Sequence, residues 1–319
     1  MKNVVLLIVT LFLSLGAAEA ALRITGHGPA RFEPTPGERW SEPDALYGWR
    51  NRSGTYRSNE AGQIPMTFWT NHQRASRSSP SVPAGVPRVD IVGDSITQGY
   101  GVADEETYVW RLGAMLPDVA FENLGVGGYG TYQSLLVEQA RSADPPRLTV
   151  YGFFGDHQFR NVAFLTWVRA LRDAEGHNIV PPHVLPRGDG LARMPGRSIG
   201  PWPLETRSAV VTELHRAWMR FEFRGRREAT RPATERLLAE MADTAAKAGQ
   251  KFLVLLLADA PGWLIPALEA RAIAYADCRE PEFERDPALR IGGVGHPTAA
   301  RHAQWAACLA PRIGALLAQ

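Results

Sequence analysis

From residue 88 onward, short apolar runs alternate with stretches of helical spacing, and that alternation restricts the fold more than any other feature. Arg88 to Val92 reads as a strand. Glu106 to Leu116 has helical spacing and stops before Pro117. Val119 to Asn123 is a second strand, and Thr131 can cap a helix running to about Ala143. Leu148 to Phe154 is a third strand. A helix from about Ala233 to Ala248 ends at Gly249, a residue suited to closing a helix. Phe252 to Leu257 is an apolar fourth strand, Trp263 to Ala272 a helix, and Ala272 to Ala276 a fifth strand. The last helix follows Pro297 and is expected to kink near Pro311. Strands alternating with helices imply an α/β fold with a parallel sheet covered on both faces.

The N-terminal part reads differently. Lys2 precedes an apolar run from Val4 to Gly16, and Ala18-Glu19-Ala20 fits a small-residue cleavage pattern. Residues 1–20 are therefore expected to be a signal peptide cut after Ala20, giving an exported (periplasmic or secreted) protein with no stable membrane span. The alternative is an uncleaved N-terminal anchor. Residues 21–86 are rich in Gly, Pro, Ser, Asn and Arg, with scattered aromatics and one short strand at Met66 to Thr70. They are expected to form a small irregular or β-rich extension, with a linker over 76–87. The main domain is then 87–319, interrupted by a Pro- and Gly-rich inserted loop around 180–206.

With 35 basic and 33 acidic residues the net charge is +2, which points away from nucleic acid as a partner. Arg220, Arg224, Arg226, Arg227 and Arg231 cluster, and read as a solvated surface. Cys278 and Cys308 are the only cysteines. An oxidising compartment allows them to pair, which would close the loop carrying His296, and two buried thiols are the other reading.

Three glycine-containing motifs compete for the chemistry. Gly93-Asp94-Ser95-Ile96-Thr97-Gln98-Gly99 follows directly on the first strand of the α/β region. In open parallel sheets ligands bind at the carboxyl ends of strands, so Ser95 sits where chemistry is done. Gly125-Val126-Gly127-Gly128-Tyr129-Gly130 matches the dinucleotide fingerprint, but the next strand lacks the acidic residue that the fingerprint requires. Gly196-Arg197-Ser198-Ile199-Gly200 matches a nucleophile elbow, yet Pro195 and Pro201 flank it where a strand and a helix should be. Of eight histidines, none has a close metal-ligand spacing, and no metal or other cofactor is implied. His296, in Gly295-His296-Pro297 just before the last helix, is placed on the same rim as Ser95. An imidazole there can serve as the base a serine nucleophile needs.

Taken together, Val92 to Gly99, Asn123 to Gly130, and Gly295-His296-Pro297 with the helix after it resemble the first, second and last blocks of the SGNH/GDSL hydrolases. The resemblance covers residues 88 to 319 in the right order. It implies a flavodoxin-like three-layer α/β/α sandwich and hydrolysis of acyl esters, O-acetyl esters among them. Ser95 would be the nucleophile, His296 the general base, and the N–H groups of Ser95 and Gly128 the oxyanion hole. The substrate would be a small-molecule or glycan acyl ester. Transfer of acyl groups onto an exported polysaccharide is the nearest alternative, and a catalytically weakened glycan-binding relative the next.

Two positions depart from that resemblance. Gly155 stands where an Asn normally donates to the oxyanion, leaving His157 and Asn161 as candidate donors. Gly293 and Val294 stand where an acid normally precedes the histidine, leaving Asp286, Glu284 and Asp277 as candidates to orient it.

Overall fold

The alternation of strand and helix becomes a five-stranded parallel sheet in a computed structural model that describes residues 2–33, 39–58, 62–82, 84–281, 283, 285–292 and 295–319. Contacts divide the chain into two units. One holds 38–162, 181–196 and 228–319; the other holds 1–37, 163–180 and 197–227. This partition does not follow the boundary expected at 86/87.

The larger unit is built on β5 (Arg88–Gly93), β6 (Ala120–Gly125), β7 (Leu148–Phe153), β12 (Lys251–Leu256) and β13 (Tyr275–Asp277). Their order is β13-β12-β7-β5-β6, and every pairing is parallel. This is the flavodoxin-like order, in which the sheet reverses direction of growth beside β5. All residues of β6 and β7 are buried, as a sheet covered on both sides requires. On one face Val89, Ile91, Leu253 and Leu255 pack with Tyr108 and Leu112 of α3 (Tyr108–Met115) and Trp305, Leu309 and Ile313 of α10 (Ala299–Leu317). α10 runs through Pro311. On the other face lies α4 (Thr131–Ala140), whose Glu138 sits against Asp90, Val92 and Leu124. Gln139 of α4 donates to Glu240 of α8 (Arg226–Lys247) at 3.3 Å. Short helices α2 (Ser95–Gln98), α5 (His157–Asn161) and α9 (Leu264–Ala270) complete the connections.

Of the extension expected over 21–86, residues 38–86 belong to this unit and are β-rich from Ser41 on, whereas residues 21–37 fall in the smaller unit. β1 (Ser41–Asp44) pairs with β2 (Gly48–Asn51), and β3 (Gly54–Arg57) with β4 (Pro65–Phe68). A bridge from Arg74 to Asn123 joins the segment after β4 to the edge strand β6. Arg74 is fully buried. It pairs with Asp104 at 3.0 Å and donates to the Val102 carbonyl at 2.9 Å, behind the loop that follows Ser95. Residues 183–194 of the expected insertion form the hairpin β9 (His183–Arg187) and β10 (Gly190–Met194). Cys278, just past β13, is disulfide-bonded to Cys308 of α10.

The smaller unit contains α1 (Lys2–Ile24), α6 (Leu165–Ala170), α7 (Ala209–Glu222) and the strand pair β8 (Asn178–Val180) with β11 (Arg197–Ile199). The apparent nucleophile elbow is thus strand β11. This unit has its own small core of Ala163, Val168, Val180, Ile199, Met219 and Phe223.

Candidate active site

Ser95 owes its position to the turn that ends β5. Asp94 is extended and caps α2, its Oδ1 accepting the Ile96 N–H at 3.0 Å. Gly99, at φ +79°, closes the same four-residue helix. Ser95 is therefore the first helical residue, half-buried at the sheet's C-terminal rim, with its N–H directed out of the helix N-terminus.

His296 arrives from the other end of the chain. Its loop is pinned by Ile291 N–H to the His296 carbonyl (2.7 Å) and Thr298 N–H to the Leu289 carbonyl (3.0 Å). The disulfide anchors the same connection at both sides, between β13 and α10. The imidazole Nε2 lies 2.9 Å from the Ser95 Oγ, and its ring packs on Tyr100 at 4.9 Å between centroids. That is the distance at which an imidazole can take a hydroxyl proton.

The third element is the loop after β6, the segment with the dinucleotide look-alike. Gly128 has φ +84°, a conformation that side-chain-bearing residues rarely adopt. Gly125 presses on α2: a Cβ there would lie 2.3 Å from the Gln98 backbone nitrogen. Asn123 ties the two together, donating to the Thr97 carbonyl (2.9 Å) and accepting the Gly125 N–H (3.0 Å). Among the described residues, neither the Ser95 nor the Gly128 N–H has a protein acceptor.

Residues outside any recognised motif hold this loop. Trp49 Nε1 donates to the Gly127 carbonyl at 2.8 Å, and Tyr129 Oη donates to the Trp49 carbonyl. Asn51 Nδ2 donates to the Gly125 carbonyl at 3.0 Å, while its Oδ1 accepts from Gln98 Nε2 at 2.6 Å. β2 therefore clamps the glycine loop and the Ser95 helix at once.

Beneath the serine lies a buried charged group. Asp94 is fully buried; its Oδ2 is 2.8 Å from an Arg160 nitrogen and 3.3 Å from His157 Nε2. The same Arg160 nitrogen donates to the Tyr129 carbonyl at 2.9 Å. Burial alone pushes the Asp94 carboxyl up. The charges of His157 and Arg160 and the Ile96 N–H outweigh it and hold the group well below the usual carboxylate range. Burial pushes His157 down despite Asp94. Arg160 thus connects the acid under Ser95 with the loop that carries Gly128.

The candidate oxyanion donors have other work. Asn161 gives both amide hydrogens away, to Thr131 and Thr234, each at 2.9 Å. His157 is fully buried, with Nδ1 against the Tyr151 hydroxyl at 2.6 Å and Nε2 facing Asp94. At Gly155 a Cβ would meet the Asp259 carbonyl oxygen at 2.9 Å. Of the candidate acids, Asp277 is held by Arg279 through contacts of 2.8 and 2.7 Å, and Asp286 accepts the Ala288 N–H at 2.9 Å. Neither bonds to His296. Glu284, Gly293 and Val294 lie outside the described residues. His302 is fully buried and accepts the Tyr108 N–H at 3.2 Å. Burial, with nearby arginines, pulls it down to about 3, so it packs as a neutral ring.

Among the described residues, one trio has metal-ligand proximity: Asp173, Glu175 and His177 in the smaller unit. Asp173 there already accepts from the Glu175 and His177 N–H groups and from Ser198.

No protein-family model matches this chain, and no curated protein matches it. Several solved structures are similar in fold. A lipolytic protein of the G-D-S-L family from Veillonella parvula DSM 2008 is 15% identical, over 70% of this chain and 95% of that one, with a TM-score of 0.41. The psychrotrophic esterase EstA from Pseudoalteromonas sp. is 11% identical, over 73% and 100%, with a TM-score of 0.44. AlinE4, an SGNH-hydrolase family esterase, is 14% identical, over 74% and 99%, with a TM-score of 0.37.

Proposed function

We propose that this chain is an SGNH/GDSL-type serine hydrolase acting on acyl esters, O-acetyl esters among them. The observation that carries the reading is the 2.9 Å approach of His296 Nε2 to Ser95 Oγ at the C-terminal rim of a parallel sheet. The N–H groups of Ser95 and Gly128 have no protein acceptor among the described residues, and Gly125 of the Gly128 loop packs on the helix that Ser95 opens.

In the proposed reaction Ser95 Oγ attacks the ester carbonyl as His296 Nε2 takes its proton. The carbonyl oxygen becomes an oxyanion held by the Ser95 and Gly128 N–H groups. Collapse expels the alcohol, which leaves with the proton from His296, and an acyl-Ser95 ester remains. Water, deprotonated by the same imidazole, then attacks that ester, and collapse releases the carboxylic acid as His296 returns the proton to Ser95 Oγ. Asp94 takes no proton in this scheme. Buried and paired, it fixes the turn that presents Ser95.

The test is hydrolysis of p-nitrophenyl acetate together with labelling by a fluorophosphonate probe. The wild type is expected to turn over and to be labelled, whereas Ser95→Ala should do neither and His296→Ala should lose most turnover. Equal hydrolysis by wild type and Ser95→Ala would overturn the assignment.

A further inference from the structure

α1 runs unbroken from Lys2 to Ile24, straight through Ala18-Glu19-Ala20, where the sequence suggests cleavage. Glu19 in its last turns is built into the smaller unit. Its carboxylate accepts from the Ser208 hydroxyl at 2.8 Å, the Ala209 N–H at 2.9 Å and the Val210 N–H at 3.0 Å. Ala209 and Val210 open α7, and Ser208 itself takes the Val211 N–H at 3.3 Å.

A helix begins with N–H groups that have no partner inside it. Here Glu19 serves two of them and Ser208 a third. A carboxylate is also the sign of charge that a helix N-terminus favours. These backbone donors hold the Glu19 carboxyl down to about 2. One turn later Arg23 pairs with Glu19 at 2.7 Å and donates to the Arg207 carbonyl at 2.8 Å. Further on, the Ala30 N–H donates to the Glu205 carbonyl (3.1 Å) and Thr212 Oγ1 (2.9 Å). Residues 19, 23 and 30 thus bond to 205–212 at successive points. A leader discarded on export would take Glu19 with it and leave the Ala209 and Val210 N–H groups without that acceptor.

We propose that α1 is retained as a membrane anchor, and that Glu19 is the joint that fastens it to α7. Its partner is a lipid bilayer. No residue of α1 is buried in protein, and its most apolar stretch has a mean hydropathy of 2.3. Lys2 to Ala18 rises about 25 Å as a helix, at the short end for a hydrocarbon core of about 30 Å. Lys2 can extend that reach by snorkelling. The smaller unit also concentrates the positive charge: 12 basic against 7 acidic residues, net +5, where the whole chain carries +2. A cavity of about 490 Å³, lined in part by Arg31, Arg169, Arg216 and Arg220, begins at His27. The His27 N–H bonds to the Leu22 carbonyl in the final turns of α1, so that basic surface sits at the foot of the anchor. Anionic headgroups attract such a surface.

This inference does not rest on the hydrolase assignment, and its test needs no substrate. The full-length chain is expressed in a bacterium with a working export pathway and recovered from fractionated cells. N-terminal sequencing and intact mass should find residues 1–20 still attached, in membranes that withstand an alkaline carbonate wash. A mature chain starting at Ala21, or release by carbonate, would overturn the proposal. In the detergent-solubilised full-length protein, Glu19→Ala should lower Tm by about 2–4 °C, the effect of a lost cap. Glu19→Gln, which keeps an accepting oxygen, should recover part of it. Identical Tm values for wild type and Glu19→Ala would remove Glu19 as the joint.

Discussion

Replacing Arg160 by Met tests whether one buried guanidinium holds both halves of the proposed site. In the wild type a single Arg160 nitrogen bonds Asp94 at 2.8 Å and the Tyr129 carbonyl at 2.9 Å, and Asp94 is wholly excluded from solvent. Breaking a buried ion pair from one side leaves an uncompensated charge and costs about 3–5 kcal/mol. At roughly 2–4 °C per kcal/mol for a domain of this size, Tm should fall by roughly 6–20 °C. Asp94 lies below the usual carboxylate range in the folded protein, so it contributes stability above its unfolded pKa and loses it as pH falls through its folded one. Without Arg160 that folded pKa rises, so the acid-side loss of stability should begin at higher pH. Turnover should fall more than KM changes, because the variant frees the Gly128 loop and the serine turn rather than a substrate contact. The decisive measurement is a double-mutant cycle by thermal unfolding. Asp94→Asn combined with Arg160→Met removes the stranded charge and should cost clearly less than the two single losses added together. Strict additivity, or an Arg160→Met protein within 2 °C of wild type (roughly 1 kcal/mol), would refute the coupling.

Three further outcomes follow from the geometry. Reducing Cys278–Cys308, or replacing both by Ser, opens a loop with a sequence separation of 30. The chain-entropy relation gives a loss of about 3.6 kcal/mol, measurable as a lower Tm under reducing agent in wild type but not in the double-Ser variant. Glu138 is buried with neither oxygen hydrogen-bonded, and burial, then Asp90, raises it to about 8. The folded state therefore holds a proton that the unfolded state releases between about pH 4.5 and 8. Stability should decline with rising pH across that window, and Glu138→Gln should flatten the Tm-against-pH curve there. Asn51→Ala removes the bonds to Gly125 and Gln98. Turnover of a p-nitrophenyl ester should drop by up to about 10²-fold with little change in KM, as misplacement of reacting groups produces; an unchanged turnover number would exclude β2 as a clamp.

The parts of the site that sequence made legible share a physical origin. Ser95, Gly128 and His296 stand at strand ends or helix starts, where turn-forming residues punctuate the apolar pattern. The separation of 201 positions between Ser95 and His296 does not hide their convergence, because each lies in a connection that leaves a strand at the C-terminal rim of the parallel sheet and leads into a helix. Trp49 and Asn51 were illegible for the opposite reason. β2 is four residues long, too short for periodicity, and both side chains act on backbone carbonyls, which no side-chain pattern records. Arg160 lies outside every motif, and nothing in one dimension ties it to Asp94, 66 positions away. His157 and Asn161 lie close to Gly155 in sequence, but Asn161 gives both amide hydrogens to Thr131 and Thr234 and His157 is fully buried against Tyr151 and Asp94, neighbours invisible in one dimension. The partition between units was also out of reach. Sequence placed a break where composition changes near residue 86, whereas the bridge from Arg74 to Asn123 makes the earlier segment an edge of the sheet.

The glycine at 155 decides what kind of site this is. Where the resemblance leads one to expect an Asn side chain, the Asp259 carbonyl oxygen already stands 2.9 Å from where a Cβ would be. The side chain is thus excluded by backbone, and restoring it would require the loop after β12 to move. In a known case, losing one oxyanion donor costs about 10²–10³ in turnover. In the proposed reaction, with Asn161 committed elsewhere and His157 buried against Asp94, stabilisation of the oxyanion would fall to the Ser95 and Gly128 N–H groups. Two backbone donors work well only if their separation is fixed, because they cannot adjust by rotamer as a side chain does. The molecule spends its buried polar groups on that fixation. Asp94 braces the turn carrying one donor, Arg160 joins Asp94 to the loop carrying the other, and Trp49 and Asn51 hold that loop from its far side. Rigidity of two donors, rather than recruitment of a third, is what this arrangement would offer to the proposed ester hydrolysis.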